Sequence, residues 1–259
     1  MTKDPLIIWS ADEVSAAMLR EIVNNDSGNV LPQELGIKLD RLFLTRYGLK
    51  QIDVMQKAGY KVFADAKIIE IPSKSLEIAA DHLKYKPWML NIMAGACSTG
   101  VWHSKQANEV DALKRFADLC HQAGTRPCGV TVLTSKDDSK NTGMVFKEFR
   151  RTAKRQVLFY AGLLVEAGFT DIVCSPQEAR VLRKYSQFDC LTINTPGIRL
   201  PNSQADDQAR IMTPRRALEA GADRLVIGRP LRENGSFADN YTHIMDNIEG
   251  RDIERRLVA

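Results

Sequence analysis

The chain has 259 residues, 44% of them hydrophobic and 26% charged, enough apolar material for one large core or two small ones. Its formal net charge of +4 is too mild to argue for a nucleic-acid partner and is compatible with an anionic small substrate. No segment approaches the length of a membrane span, and the early apolar run Leu6-Ile7-Ile8-Trp9 is too short for a signal-peptide core.

No Gly/Ser- or Pro-rich linker interrupts the chain, so a single domain over 1–259 is expected. The five cysteines (97, 120, 128, 174 and 190) are odd in number, widely spaced and without a Cys-x-x-Cys pair. That usage suits reduced thiols in a cytoplasmic protein. Histidines 82, 103, 121 and 243 lack ligand spacing, so no metal is expected.

Short apolar strands are predicted near 5–9, 35–38, 61–66, 88–93, 128–133, 171–174, 190–194 and 223–228. Between and after them, apolar residues at helical spacing predict helices over 12–25, 49–58, 73–85, 104–123, 143–167, 176–186, 213–221 and 236–256. Gly59, Gly124, Gly168 and Gly221 fall at or near helix ends, where a left-handed cap suits glycine. Eight strands alternating with eight helices predict an α/β fold, a single-domain (β/α)₈ TIM barrel. An open doubly wound sheet is the alternative, disfavoured because no G-x-G-x-x-G follows the first strand and no Walker loop occurs.

A barrel of this kind carries its active site at the C-terminal ends of the strands. Those ends are polar here. Lys38 and Asp40 follow strand two, and Asp65, Lys67 and Glu70 follow strand three. Asp65 and Lys67 share strand parity, which points both to one face. Asn91 and Met93 end strand four, and Thr134-Ser135 follow strand five. Thr195-Pro196-Gly197-Ile198-Arg199 leaves strand seven and Gly228-Arg229-Pro230 leaves strand eight. Each of these last loops offers a glycine for close backbone approach and an arginine for bidentate contact, and Pro230 suits the first turn of a helix facing an anion. A phosphate-bearing ligand follows.

Plainer readings compete with these. Asp65 and Lys67 also fit a structural ion pair, Arg199 and Arg229 fit loop salt bridges, and Asp40 fits a solvated charge or a partner of Lys38. Cys97 has no paired histidine in view and reads better as a packing or loop residue than as a nucleophile. The basic pairs Arg150-Arg151, Lys154-Arg155 and Arg215-Arg216 are short and separated, so solvated helix faces suit them better than a nucleic-acid surface. The parallel placement of the two phosphate loops argues against the purely structural readings.

Taken in order, Lys38, Asp65-Ala66-Lys67-Ile68-Ile69-Glu70-Ile71-Pro72, Thr195 to Arg199 and Gly228-Arg229 resemble the orotidine 5′-phosphate decarboxylase family. That family is marked by Asp-x-Lys-x-x-Asp-Ile-Pro after strand three of a (β/α)₈ fold. The resemblance implies a cofactor-free carboxy-lyase of pyrimidine biosynthesis, converting orotidine 5′-monophosphate to UMP and CO₂. It implies a homodimer whose charge array joins Lys38, Asp65 and Lys67 to Glu70 of the neighbouring subunit. Lys67 would protonate the C6 carbanion, Asp65 would hold Lys67 charged, and Lys38 would reach the ribose. Thr134, Ser135 and Pro196 would lie on the substrate, with Arg199, Gln208, Gly228 and Arg229 gripping the phosphate.

Five positions depart from the family pattern: Glu70 for aspartate, Lys74 for threonine, Asp40 for glycine, Met93 for a frequent histidine, and a first strand whose aspartate, Asp12, comes one residue late after Ala11. All five are expected to border the base or ribose, while the phosphate end is intact. The alternative is therefore a paralogue that acts on, or only binds, a different phosphorylated nucleoside or sugar.

Overall fold

The computed structural model describes residues 4–26, 30–95, 106–134, 152–201, 211–233 and 235–251. Its elements run β1 (Ile7–Ser10), α1 (Ala16–Glu21), β2 (Leu35–Asp40), α2 (Arg41–Tyr47), α3 (Lys50–Lys57), β3 (Lys61–Ile68), α4 (Pro72–Leu83) and β4 (Met89–Met93). There follow α5 (Gln106–Ala123), β5 (Arg126–Val130), α6 (Ala153–Glu166), β6 (Asp171–Val173), α7 (Pro176–Leu182), β7 (Thr192–Thr195), α8 (Pro214–Glu219), β8 (Arg224–Ile227) and α9 (Phe237–Glu249). The eight strands close in sequence order, with β1 paired in parallel to both β2 and β8. The expected (β/α)₈ barrel is the fold.

Local chemistry explains the element boundaries. Helix α1 starts at Ala16 rather than at residue 12 because the Ser15 hydroxyl accepts the Met18 N–H and caps it. That leaves Asp12 in the loop above β1. Helix α2, absent from the sequence prediction, begins where the Asp40 carboxylate accepts the Phe43 N–H at 2.7 Å. The strand predicted over 128–133 is Arg126–Val130 instead. Its partner β6 is only three residues long, and the Thr131 amide makes the last bond, to the Val173 carbonyl at 3.1 Å. Helix α9 stops at Gly250, whose φ of 81° is left-handed. Pro230 opens no such helix: Arg229–Leu231 is one 3₁₀ turn, and α9 starts only after Ser236, whose hydroxyl accepts the Asp239 N–H.

Most of the apolar core lies between the strands and the surrounding helices, as in Ile7, Trp9, Ile37 and Leu90 with Leu19, Phe116 and Leu164. A smaller cluster of Ile8, Phe63, Met89, Cys128 and Val226 fills the barrel itself. Below it the barrel is plugged by ions on the first residues of four strands. Asp171 is fully buried and accepts from Arg126 Nε and Arg224 Nη1, each at 2.7 Å, and from Asn194 Nδ2 at 3.1 Å. Arg224 also bonds Asp4 at 2.5 Å, and Asp4 takes Lys61 at 2.6 Å. Arg224 and Lys61 both lie over the Trp88 ring, at 4.9 and 5.7 Å from its centroid.

Removing one member of a buried ion cluster strands the others, at a cost of about 3–5 kcal/mol. Asp171→Ala should therefore lower unfolding free energy by about that much in urea titration. A loss below about 1 kcal/mol would mean that water replaces the carboxylate and that the plug is not a unit.

Candidate active site

At the opposite end of the barrel a cavity of about 340 Å³ opens between the strand ends. It gathers Lys38, Asp65, Lys67, Thr134, Pro196, Arg199, Gly228 and Arg229 from five different strand ends. Ser135 and Gln208 lie outside the described residues. Glu70 is exposed and does not line this cavity. It borders a second depression beside Arg41, Ile69 and His82.

Asp65 is the centre of the array. Its Oδ2 accepts from Lys38 Nζ at 2.7 Å and from Lys67 Nζ at 2.5 Å, and its Oδ1 accepts from Asn91 Nδ2 at 2.6 Å. Burial alone would raise the Asp65 carboxyl, but the two ammonium groups outweigh it and hold the group far below the usual carboxylate range. Lys38 is the mirror case. Burial opposes its charge, yet Asp65 and Asp12 together push its pKa well above the ordinary lysine value. Lys38 Nζ reaches Asp12 Oδ1 at 2.8 Å, and Ser10 Oγ donates to the other Asp12 oxygen at 2.8 Å.

Solvent exposure separates the two lysines. The Lys38 side chain is 7% exposed, whereas that of Lys67 is 42% exposed. Lys67 thus presents its ammonium to the cavity while remaining tied to Asp65. The parity argument alone does not account for this. Between Ala64 and Ile68 strand β3 advances four residues while β4 advances two, so a bulge carries Asp65 and Lys67. Lys67 adopts φ +42°, a left-handed conformation rare for a side chain of its size. Its amide, taken out of the ladder, donates to Asn91 Oδ1 at 2.7 Å.

The other end of the cavity is basic. After β7, Gly197 takes φ +80° and the loop is clipped to the 211–213 segment by Arg199 N to Met212 O and Met212 N to Gly197 O, at 3.0 and 3.1 Å. Arg199 is buried and lines the cavity. Gly228 and Arg229 follow the adjacent strand β8 and line the same cavity. A Cβ on Gly228 would meet protein no nearer than Ser10 at 3.5 Å, so internal packing does not demand a glycine there. Arg232, which sequence reasoning missed, also lines the cavity, 3.8 Å from Glu13. Among the described residues five basic side chains and three acidic ones line the cavity, which favours an anionic occupant.

Three of the five departures from the family pattern, Asp40, Lys74 and Met93, do not line this cavity, correcting the expectation that they border the base or ribose; the expectation for Glu70 concerns a neighbouring subunit's site. Asp40 caps α2, and Lys74 pairs with Glu77 at 2.6 Å on an exposed helix face. Met93 and Glu70 are absent from the lining. Asp12 is the exception, and it supplies the carboxylate that the first strand itself lacks. Asn91 is the residue whose role sequence reasoning missed. Its polarity at a strand end was visible, but its two partners lie 24 and 26 residues away in sequence.

The depressed Asp65 pKa has a definite sign for stability. Its contribution is complete above the unfolded carboxyl value of about 3.9 and fades only as pH falls toward the lower folded value. The destabilisation caused by Asp65→Asn should therefore be largest near neutral pH and shrink below about pH 4. Urea midpoints of the two proteins across pH 7 to 3 test this, and a gap that stays constant would contradict the ionised array.

Comparison with known proteins supports the same assignment. The profile of the family described as orotidine 5′-phosphate decarboxylase / HUMPS matches residues 28–242. The orotidine 5′-phosphate decarboxylase of Coxiella burnetii is 33% identical over 233 residues, covering 89% of this chain and 91% of the relative. That of Pseudoalteromonas translucida is 34% identical over 219 residues, with 84% and 86% covered. Among solved structures, the orotidine 5′-phosphate decarboxylase of Lactobacillus acidophilus superposes with a TM-score of 0.73 at 25% identity, covering 95% of this chain and 99% of that one. With its barrel, its lysine–aspartate array and these relatives, the chain belongs to the orotidine 5′-phosphate decarboxylase / HUMPS family.

Proposed function

We propose that the protein decarboxylates orotidine 5′-monophosphate to UMP and CO₂, without a cofactor, in pyrimidine biosynthesis. The observation that carries this reading is the half-exposed Lys67 ammonium held on a buried, doubly paired Asp65 at one end of a cavity whose other end is basic. Phosphate at Arg199, Gly228 and Arg229 would leave the base at the array. As the C6–carboxylate bond breaks, its electron pair stays on C6 and takes a proton from Lys67 Nζ; the neutral amine then regains one from water. The ammonium is preorganised for charge that exists only near the transition state. Asp65 holds the Lys67 ammonium in place, and Lys38 holds Asp65 from behind while reaching the ribose. Thr134 and Pro196, both on the lining, fit contacts to the substrate, to which Ser135 and Gln208 are assigned by the same reading.

Against the paralogue reading, Asp40, Lys74 and Met93 avoid the cavity and Asp12 brings an acid to Lys38. Glu70 takes its part in a homodimer. Its exposure, beside Ile69 and Ile71 at 58% and 62% exposed, suits a second copy of the chain covering this edge and receiving Glu70 in its own array.

Lys67→Ala should abolish turnover while leaving UMP binding by calorimetry nearly unchanged, because the phosphate is held elsewhere. General acid work supplies roughly 10²–10⁴-fold, so a loss below about tenfold would remove Lys67 from the proton-transfer role. Mixing Lys67→Ala with Glu70→Ala chains should restore part of the activity, in the one site of the mixed dimer that keeps both groups. Subunit exchange without recovery would show that the site is not shared.

A further inference from the structure

We propose that Asn91 is a positioning residue for the proton donor, acting on Lys67 from two directions at once. The inference rests on the decarboxylase reading above and extends it to a cavity-lining group whose amide is engaged on the array itself.

Asn91 sits in β4, fully buried, and both ends of its amide are spent on the array. Its Nδ2 donates to Asp65 Oδ1 at 2.6 Å, while its Oδ1 accepts the Lys67 amide at 2.7 Å. The first bond fixes the carboxylate plane. Asp65 Oδ2 already serves Lys38 and Lys67, so without Asn91 the other oxygen would be buried and the carboxylate could turn about its χ2. Turning it would carry the Lys67 ammonium away from its present direction.

The second bond holds the backbone. A residue such as lysine at φ +42° persists only where its surroundings over-determine it. The bulge deprives Lys67 of a ladder partner, and Asn91 Oδ1 supplies one. One side chain therefore sets the angle of the donor's counter-ion and the conformation of the donor's own backbone. Misplacement of a catalytic group by about 1 Å can cost about 10²-fold. A hydrophobic residue of similar size would leave both groups without their partner. Aspartate keeps the acceptor, but when ionised it cannot donate to Asp65.

The test uses the full chain with Asn91→Ala and Asn91→Asp. Both should lower kcat for orotidine 5′-monophosphate by about 10²-fold while UMP affinity stays within about threefold, since the phosphate loops are untouched. Amide hydrogen exchange gives a readout free of turnover. The Lys67 amide should exchange at least about tenfold faster in Asn91→Ala, whereas core amides such as that of Phe63 keep their wild-type rates. A kcat within about threefold of wild type in both variants would overturn the proposal, as would an unchanged Lys67 exchange rate. Should Asn91→Ala fail to bind UMP through misfolding, the near-isosteric Asn91→Asp decides by the same kcat and affinity criteria. If the wild-type protein binds UMP but does not turn over the substrate, the decarboxylase reading fails. The exchange rate then still accepts or rejects the anchoring of Lys67 by Asn91.

Discussion

Two lysine ammonium groups share one oxygen of a buried carboxylate, and much of the cavity's construction follows from keeping that arrangement tolerable. A carboxylate placed alone at the depth of Asp65 would take up a proton rather than stay charged. With Lys38 and Lys67 both within 2.7 Å it stays ionised, but two cations on one oxygen repel each other. The structure resolves this unevenly. Among the described residues Lys38 receives a second acid, Asp12, and is nearly buried, whereas Lys67 receives none and keeps partial contact with solvent. The excess positive charge is thereby delivered to the surface of the cavity, where a ligand's negative charge would meet it.

The two ends of the barrel use the same chemistry to opposite effect. At the bottom, Asp171 is saturated by Arg126, Arg224, Asn194 and Thr170, and Asp4 closes the remaining valences of Arg224 and Lys61. Such a cluster ties together the first residues of β3, β5, β6 and β8. At the top, the Asp65 cluster lines the cavity, and its Lys67 side chain is 42% exposed. A purely structural ion cluster would be covered, as Asp171 is. Leaving a strained, half-exposed cation there makes sense if an occupant of the cavity completes it.

What could be read from the residues alone was whatever depended on spacing along one strand or one loop. The alternation of apolar runs with helical periods sufficed for the barrel, and the loops after β7 and β8 were recognisable because their glycines and arginines are contiguous. Helix α2 escaped because Asp40 was weighed as a solvated or functional charge, although an aspartate ahead of Arg41-Leu42-Phe43 is also a capping signal. The close of β5 depended on the brevity of β6, which no local feature of Thr131-Val132-Leu133 reports. Asn91 was seen only as a polar strand end. Its importance lies in a bulge on the neighbouring strand, and a bulge is a property of two strands together.

Position within a motif and position in space part company most clearly at the first strand. Counted along the chain, Asp12 comes one residue too late to serve Lys38. The loop removes the discrepancy: α1 begins only after Ser15, Glu13 turns at φ +64°, and the Ser10 hydroxyl draws the Asp12 carboxylate back over the strand end. The side chain that reaches Lys38 is thus set by a turn and a hydrogen bond, not by strand parity. Conversely Asp40 stands in perfect strand register with Asp65 yet is turned to the start of a helix. A departure from a family pattern acquires chemical meaning only through the cavity it enters. By that measure Asp12 is the departure that enters this cavity within the chain, and it brings a second carboxylate to Lys38.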